Sequence, residues 1–296
     1  MIRNIAFEGL QAVEMTTDKL RLVAITEFGP RIAFLGKPGG RNLLLWKPET
    51  YTYQDWDLRG GHRVWMTRPM ADECEDTYAA DNGPCDTEIT DNGFRLTGAV
   101  NPSNKTRRGV EITLTSESAV EVNNFCTNAG DFLYSGGLWV LTCTVPGPQT
   151  RYATPVGDGS SWDTMAMVYY RRWATHGQAG FDDAQVDIRD DVVILTPKGK
   201  EMKRMIQAPA GVLVMSDPDE AVTFAKQAAF IPGAPYPMNC NTAYYIGPDN
   251  FMVEMETMSP EQTLRPGATM SHTESWQLLD TALPMDSGAA LLKALA

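Results

Sequence analysis

The sequence predicts an all-β protein: a large antiparallel β-sandwich closed by a short C-terminal helix. Three observations lead there. Short runs with apolar and polar residues in alternation recur from one end of the chain to the other. Turn signals such as Asp91-Asn92-Gly93 and Arg265-Pro266-Gly267 stand between the runs and break any helical continuation. No long 3.6-residue periodicity competes with them before the tail, where Ala289 to Ala296 reads as a terminal helix.

The expected strands in chain order are Lys19 to Ile25, Asn42 to Trp46, Gly93 to Val100, Val110 to Ser116, Ala119 to Cys126 and Gly137 to Val145. They continue with Val192 to Thr196, Gly211 to Met215, Ala221 to Phe224, Thr242 to Ile246, Phe251 to Met258 and Met270 to Leu279. In Glu111-Ile112-Thr113-Leu114-Thr115 the apolar residues fall on one face and the polar ones on the other, as a half-buried strand requires. With no linker, repeat or composition shift, the expectation is one sandwich domain over residues 2–280, followed by a tail over 281–296. The stretch 147–190 is rich in Gly, Asp, Tyr, Trp and Arg and poor in alternation, the composition of long loops that carry binding groups on a rigid scaffold.

The chain has 296 residues, 43% of them hydrophobic and 21% charged, which is ordinary for a globular protein with a full core. A net charge of -12 and the lack of a basic run interleaved with aromatics exclude nucleic acid as an expected partner. No apolar run approaches the ~20 residues of a membrane helix, so no membrane partner is expected either. The N-terminal residues lack the charged-then-apolar order of a secretory signal and, read as a native start, predict a cytoplasmic protein. Five cysteines (Cys74, Cys85, Cys126, Cys143 and Cys240), odd in number and without CxxC spacing, fit reduced thiols. No metal-ligand spacing, phosphate loop, nucleophile elbow or dinucleotide fingerprint is present, so neither metal nor cofactor is expected.

Two clusters are able to carry chemistry. In Phe251-Met252-Val253-Glu254-Met255-Glu256, period-2 geometry sends Met252, Glu254 and Glu256 to one face, with the carboxylate-bearing Cα atoms roughly 6–7 Å apart. Lining a groove, their mutual field and desolvation raise the pKa of at least one, which suits a general acid or base; on an outer face they are simply solvated. In Leu58-Arg59-Gly60-Gly61-His62-Arg63-Val64-Trp65, paired glycines permit close backbone approach to a ligand, and Arg59, His62, Arg63 and Trp65 supply donors and a stacking plate for a sugar. The bland alternative is a β-bulge with solvated arginines. Trp162, Asp163 and Arg171 can add an aromatic and charged wall to a sugar site or simply pack within their loop. Lys203 and Arg204 can neutralise a carboxylate or phosphate on a substrate or, as two basic residues in a loop, be solvated; His272, sharing a strand face with Glu274 and Trp276, reads as structural.

Arg59-Gly60-Gly61 ending in Arg68-Pro69 resembles a stretch of the hexose-6-phosphate mutarotases and related aldose 1-epimerase-like proteins. Val253-Glu254, Leu264-Arg265-Pro266-Gly267 and His272-Thr273-Glu274-Ser275-Trp276 resemble the C-terminal strand, turn and final strand of the same galactose-mutarotase-like superfamily. Gly60-Gly61-His62-Arg63 with Trp65, Trp139-Val140-Leu141-Thr142 and Glu254-Met255-Glu256-Thr257 are similar to an uncharacterised bacterial branch of that fold. The resemblance implies a supersandwich, a carbohydrate ligand, Glu254 as the general base and Arg59 as a substrate contact. It also implies a histidine acid in a central strand, where this chain has Ser135-Gly136-Gly137-Leu138-Trp139; His176, in a loop, is the candidate substitute. The expected function is acid–base catalysis at or near the anomeric carbon of a sugar or sugar acid, most simply that of an aldose 1-epimerase. The alternatives are a non-catalytic lectin-like protein and a lyase or isomerase on the same fold.

Overall fold

The computed structural model describes residues 1–47, 52–53, 56–68, 81–157, 165–170 and 182–296. Its strands are β1 (Ile2–Phe7), β2 (Leu10–Thr16), β3 (Arg21–Ile25), β4 (Arg31–Gly36), β5 (Thr52–Tyr53), β6 (Trp56–Asp57), β7 (His62–Met66) and β8 (Asp86–Ile89). They are followed by β9 (Gly93–Val100), β10 (Thr106–Ser116), β11 (Ala119–Asn128), β12 (Tyr134–Gly136), β13 (Leu138–Thr144), β14 (Arg151–Pro155), β15 (Met167–Tyr169) and β16 (Val186–Ile188). The last are β17 (Val192–Leu195), β18 (Met202–Ile206), β19 (Val212–Asp217), β20 (Val222–Ala228), β21 (Thr242–Ile246), β22 (Val253–Met258), β23 (Gln262–Leu264) and β24 (Thr269–Leu279), before helix α1 (Gly288–Leu295).

Among the described residues these form two ten-stranded antiparallel sheets. The first runs β1-β2-β3-β4-β7-β13-β22-β21-β18-β15, and the second runs β16-β17-β14-β19-β20-β24-β11-β10-β9-β8. The all-β class, the sandwich and the terminal helix are those expected. Alternation is clearest in β24 of the second sheet, which buries Met270, His272, Glu274, Trp276 and Leu278 and exposes most of the residues between. Phe94, Ile112, Val122, Met215 and Phe224 of this sheet meet Met15, Leu22, Ile32, Tyr244 and Val253 of the first in one apolar cluster between the sheets. Strands β7, β13, β21 and β22 are buried on both faces, so they lie at the covered centre of the first sheet.

Two expectations about elements need correction. Residues 42–46 make only isolated bridges, Leu44 to Thr144 and Trp46 to Gly60. The Asn42 side chain explains this: its Oδ1 accepts from the amides of Leu35 and Leu44 and its Nδ2 donates to the Ala33 carbonyl, capturing backbone groups that a ladder would use. Lys203 and Arg204 are not in a loop but in β18, both buried. Met202 and Ile206 of that strand enter the core between the sheets, which turns Lys203 and Met205 to the other face.

The sandwich interior is not wholly apolar. Lys226 Nζ lies 2.7 Å from the Glu274 carboxylate, both fully buried, and also donates to Thr142 Oγ1 and the Met255 carbonyl. Trp276 Nε1 donates to Glu274, and Thr257 bridges Glu274 and His272. His62 bonds Thr142 and Asn124 on the same level. Burial pushes both histidines down to about 4, so they sit neutral between the sheets.

Candidate functional site

The site is built on the outer face of the first sheet, the face turned away from its partner sheet. Strand β22 sends Val253, Met255 and Thr257 inward and Glu254, Glu256 and Met258 outward. Register then sets the neighbours. Cys143 of β13 is the cross-strand partner of Glu254, and Leu141 that of Glu256. On β7, Arg63 pairs with Leu141 and Trp65 with Trp139. On the other flank Ala243 pairs with Glu256 and Tyr245 with Glu254, and Lys203 pairs with Tyr245. The outer face is not solvated: Glu254 is 5% exposed, Glu256 0%, Arg63 2% and Lys203 1%.

Burial of this many ionisable groups is tolerable only when they are paired, and here they pair diagonally across the strands. Arg63 Nη2 donates to Glu254 Oε1 at 2.8 Å, while its Nη1 donates to Cys143 Sγ at 3.0 Å. The Cys143 thiol in turn donates to the same Oε1 at 3.3 Å. Lys203 Nζ donates to both oxygens of Glu256, at 2.8 and 2.7 Å, reaching over the small Ala243. Trp139 Nε1 adds a 2.6 Å bond to Glu256 Oε2. The aromatic rings support the cations: the Arg63 guanidinium lies 4.4 Å from the Trp65 ring centre, and Lys203 Nζ 4.8 Å from that of Trp139.

The two carboxylates therefore differ. Both oxygens of Glu256 are consumed by Lys203 and Trp139. At Glu254 every hydrogen bond from a described residue falls on Oε1. No described residue donates to Oε2 of Glu254, which is not among the fully buried orphaned atoms. Burial pushes the Glu256 carboxyl above its ordinary range; Lys203 pulls it back and the neighbouring Glu254 pushes it further up. The Cys143 thiol is pushed up to about 12 by burial against the pull of Arg63, so it is a neutral donor rather than a thiolate. Arg63 is held above its ordinary value: burial opposes its charge, and Cys143 and Glu254 more than offset that.

Of the candidate residues, Arg63, Trp65, Glu254 and Glu256 are brought together on this face. Arg59 has a left-handed φ of 47°, is bonded to Asp57 at 2.8 Å and lies 4.0 Å over the Phe28 ring. His62 must be withdrawn from the sugar site: one residue before Arg63, it points to the opposite face and is 1% exposed between the sheets. The paired glycines serve a different approach from the one expected. Gly60 and Gly61 have φ of +82° and +72°, and a Cβ at either would come within 2.3 Å of the Leu45 or Ile32 carbonyl, so it is the chain's own backbone that crowds them. His176, Trp162, Asp163 and Arg171 lie outside the described residues.

Sequence reasoning missed Cys143, Arg31 and the role of Lys203. The period-2 series Trp139-x-Leu141-x-Cys143 carries a usable signal for the first. Arg31, fully buried at the start of β4, donates to the carbonyls of Leu58 and Gly60 and pairs with Asp81 at 2.5 Å, so it fastens the turn ahead of β7. A cavity of about 170 Å³ beyond it, between the Gly29-Pro30 turn and β9–β10, is walled by Asp81 and Arg108 and touches none of the Glu254 cluster.

No family model matches the chain, and no curated protein is significantly similar to it in sequence. Solved structures are similar in shape. A protein from Escherichia coli K12 provisionally described as an aldose 1-epimerase aligns at 14% identity with a TM-score of 0.58, over 90% of this chain and 98% of its own. A galactose mutarotase-like protein from Lactobacillus casei aligns at 12% identity and 0.57, over 90% and 100%. Another from Clostridium acetobutylicum aligns at 9% and 0.59, over 94% and 98%. At such identities shape is what is shared, and in its two ten-stranded sheets the chain has the fold of the galactose mutarotase-like proteins.

Proposed function

We propose that the protein binds a carbohydrate over the outer face of the first sheet and interconverts its anomers, with Glu254 as general base. The observation that carries this is the one-sided use of Glu254 among the described residues: Arg63 and Cys143 hold Oε1, and none of them donates to Oε2. In this reading Oε2 takes the proton of the anomeric hydroxyl. The bond from the anomeric carbon to the ring oxygen breaks, its electron pair stays on that oxygen, and an acid protonates it. The open aldehyde turns about its first carbon–carbon bond and closes by the reverse steps. Of the three histidines, His62 and His272 are locked between the sheets, which leaves His176 as the histidine acid. Trp162, Asp163 and Arg171 are assigned to the sugar-binding wall, and Arg59 to its rim. Glu256 supports the site by holding Lys203 and Trp139.

Polarimetry on a panel of aldoses and uronic acids, with calorimetry for binding, tests this. Glu254→Gln keeps the shape and loses the base, so turnover is expected to fall by about 10²–10⁴-fold while a sugar still binds. Full activity of Glu254→Gln on a sugar the parent interconverts contradicts the role. A parent that binds a sugar yet leaves its anomers exchanging at the buffer rate makes the protein lectin-like instead.

A further inference from the structure

A general base needs one oxygen fixed and the other open, and the chain achieves this with a residue that the reaction itself does not require. Cys143 is the direct cross-strand partner of Glu254 and is fully buried. Its sulfur accepts from Arg63 Nη1 at 3.0 Å and its hydrogen points to Glu254 Oε1 at 3.3 Å, on the same oxygen that Arg63 Nη2 holds at 2.8 Å. Resting on the reading of Glu254 as the base, we propose that Cys143 is a positioning residue: its thiol, oriented by Arg63, clamps Oε1 and thereby aims Oε2 at the substrate.

The surrounding groups make this a specific role. Facing Glu254 are Arg63 from β7, Cys143 from β13, Glu256 from its own strand and Tyr245 from β21, with Lys203 on β18 and Arg31 on β4 beyond them. Tyr245 is turned away, its hydroxyl donating to Glu201 at 2.6 Å. Lys203 is held by Glu256. Arg31 is committed to Asp81 and two carbonyls. Among the described residues only Arg63 and Cys143 hold Glu254. The raised thiol value agrees, because a thiolate would repel the carboxylate and could not donate. A valine at 143 would fill the same space without the donor.

Three variants and two readouts decide the matter. In the infrared, the S–H stretch of Cys143 is identified as the band lost in Cys143→Val; Glu254→Gln is expected to move it toward the value of a free thiol. In kinetics on an aldose that the parent interconverts, Cys143→Val is expected to lower kcat about tenfold with KM little changed, the loss of one hydrogen bond to a charged group. Cys143→Ser, which keeps a donor, restores most of it. An S–H band indifferent to Glu254→Gln overturns the clamp, as does a folded Cys143→Val variant with the parent's kcat. If the parent interconverts no sugar, the reading of Glu254 as a base fails, and the infrared arm still decides whether the thiol holds Oε1.

Discussion

Glu254 and Glu256 stand two residues apart on one strand face, yet their partners give them different work. Removing the charge of Glu256 breaks the buried ion pair that it forms with Lys203 beside Trp139. Glu256→Gln is therefore expected to cost stability, about 3–5 kcal/mol for breaking a buried pair, read as a lower urea midpoint. Arg63→Ala belongs to the same class. From the sequence it looks like the loss of a sugar contact; in the structure it strips Glu254 of its ion-pair partner and Cys143 of its donor. Unfolding of Arg63→Ala should thus show a drop of similar size, and an unchanged midpoint would contradict the pairing. The shared face of the two carboxylates was legible because a period of two needs no tertiary information. Their partners were not, because Arg63, Cys143 and Lys203 come from three other strands, and register between distant strands is not written in any local run.

At the scale of the element, both clean alternation, as in β24, and short continuous apolar runs, as in β17, were readable. Strand β24 alternates because one side of it faces solvent. Strands β7 and β18 are buried on both faces, so His62-Arg63-Val64-Trp65-Met66 and Met202-Lys203-Arg204-Met205-Ile206 mix charge with apolar residues and imitate a loop. The turn into β7 gives a direct check. Gly61→Ala places a methyl against the Ile32 carbonyl at a φ of +72°, and should destabilise the protein by more than the ~1 kcal/mol of an ordinary Gly position; measured equality with the parent would contradict the close approach. The interior histidines give another. His62 and His272 have folded values of about 4, below the 6.5 of the free side chain, so the unfolded chain binds protons first as pH falls. Their contribution is intact above about pH 6.5 and is lost as pH falls toward 4, on the order of a few kcal/mol in all. Glu274 extends the loss. Burial alone would raise it, but Lys226, His62 and His272 hold it at about 2, so its share disappears between about pH 4.5 and 2. Chemical denaturation across this range should follow that course, and stability flat from pH 7 to 4 would contradict neutral buried histidines.

For the whole molecule, the apolar cluster that joins the two sheets and the polar network within it tie β7, β13 and β22 to β11, β20 and β24. Such coupling predicts one cooperative calorimetric transition, and two well-separated transitions would contradict it. It also places a rigid framework directly behind the site, since Lys226 bonds the backbone of Met255 between the two glutamates. The sandwich class was legible from alternation and turns, whereas the order of the strands required the structure, because most neighbours in each sheet's centre are far apart in the chain. In the proposed reading a sugar meets the protein at Oε2 of Glu254. A crystal structure of the Glu254→Gln variant soaked with a bound aldose tests it most directly. The anomeric oxygen is expected within about 2.6–3.2 Å of the position of Oε2, with Arg63 still on the other side of residue 254. A sugar seated away from residue 254, or one whose anomeric carbon faces solvent, would contradict it.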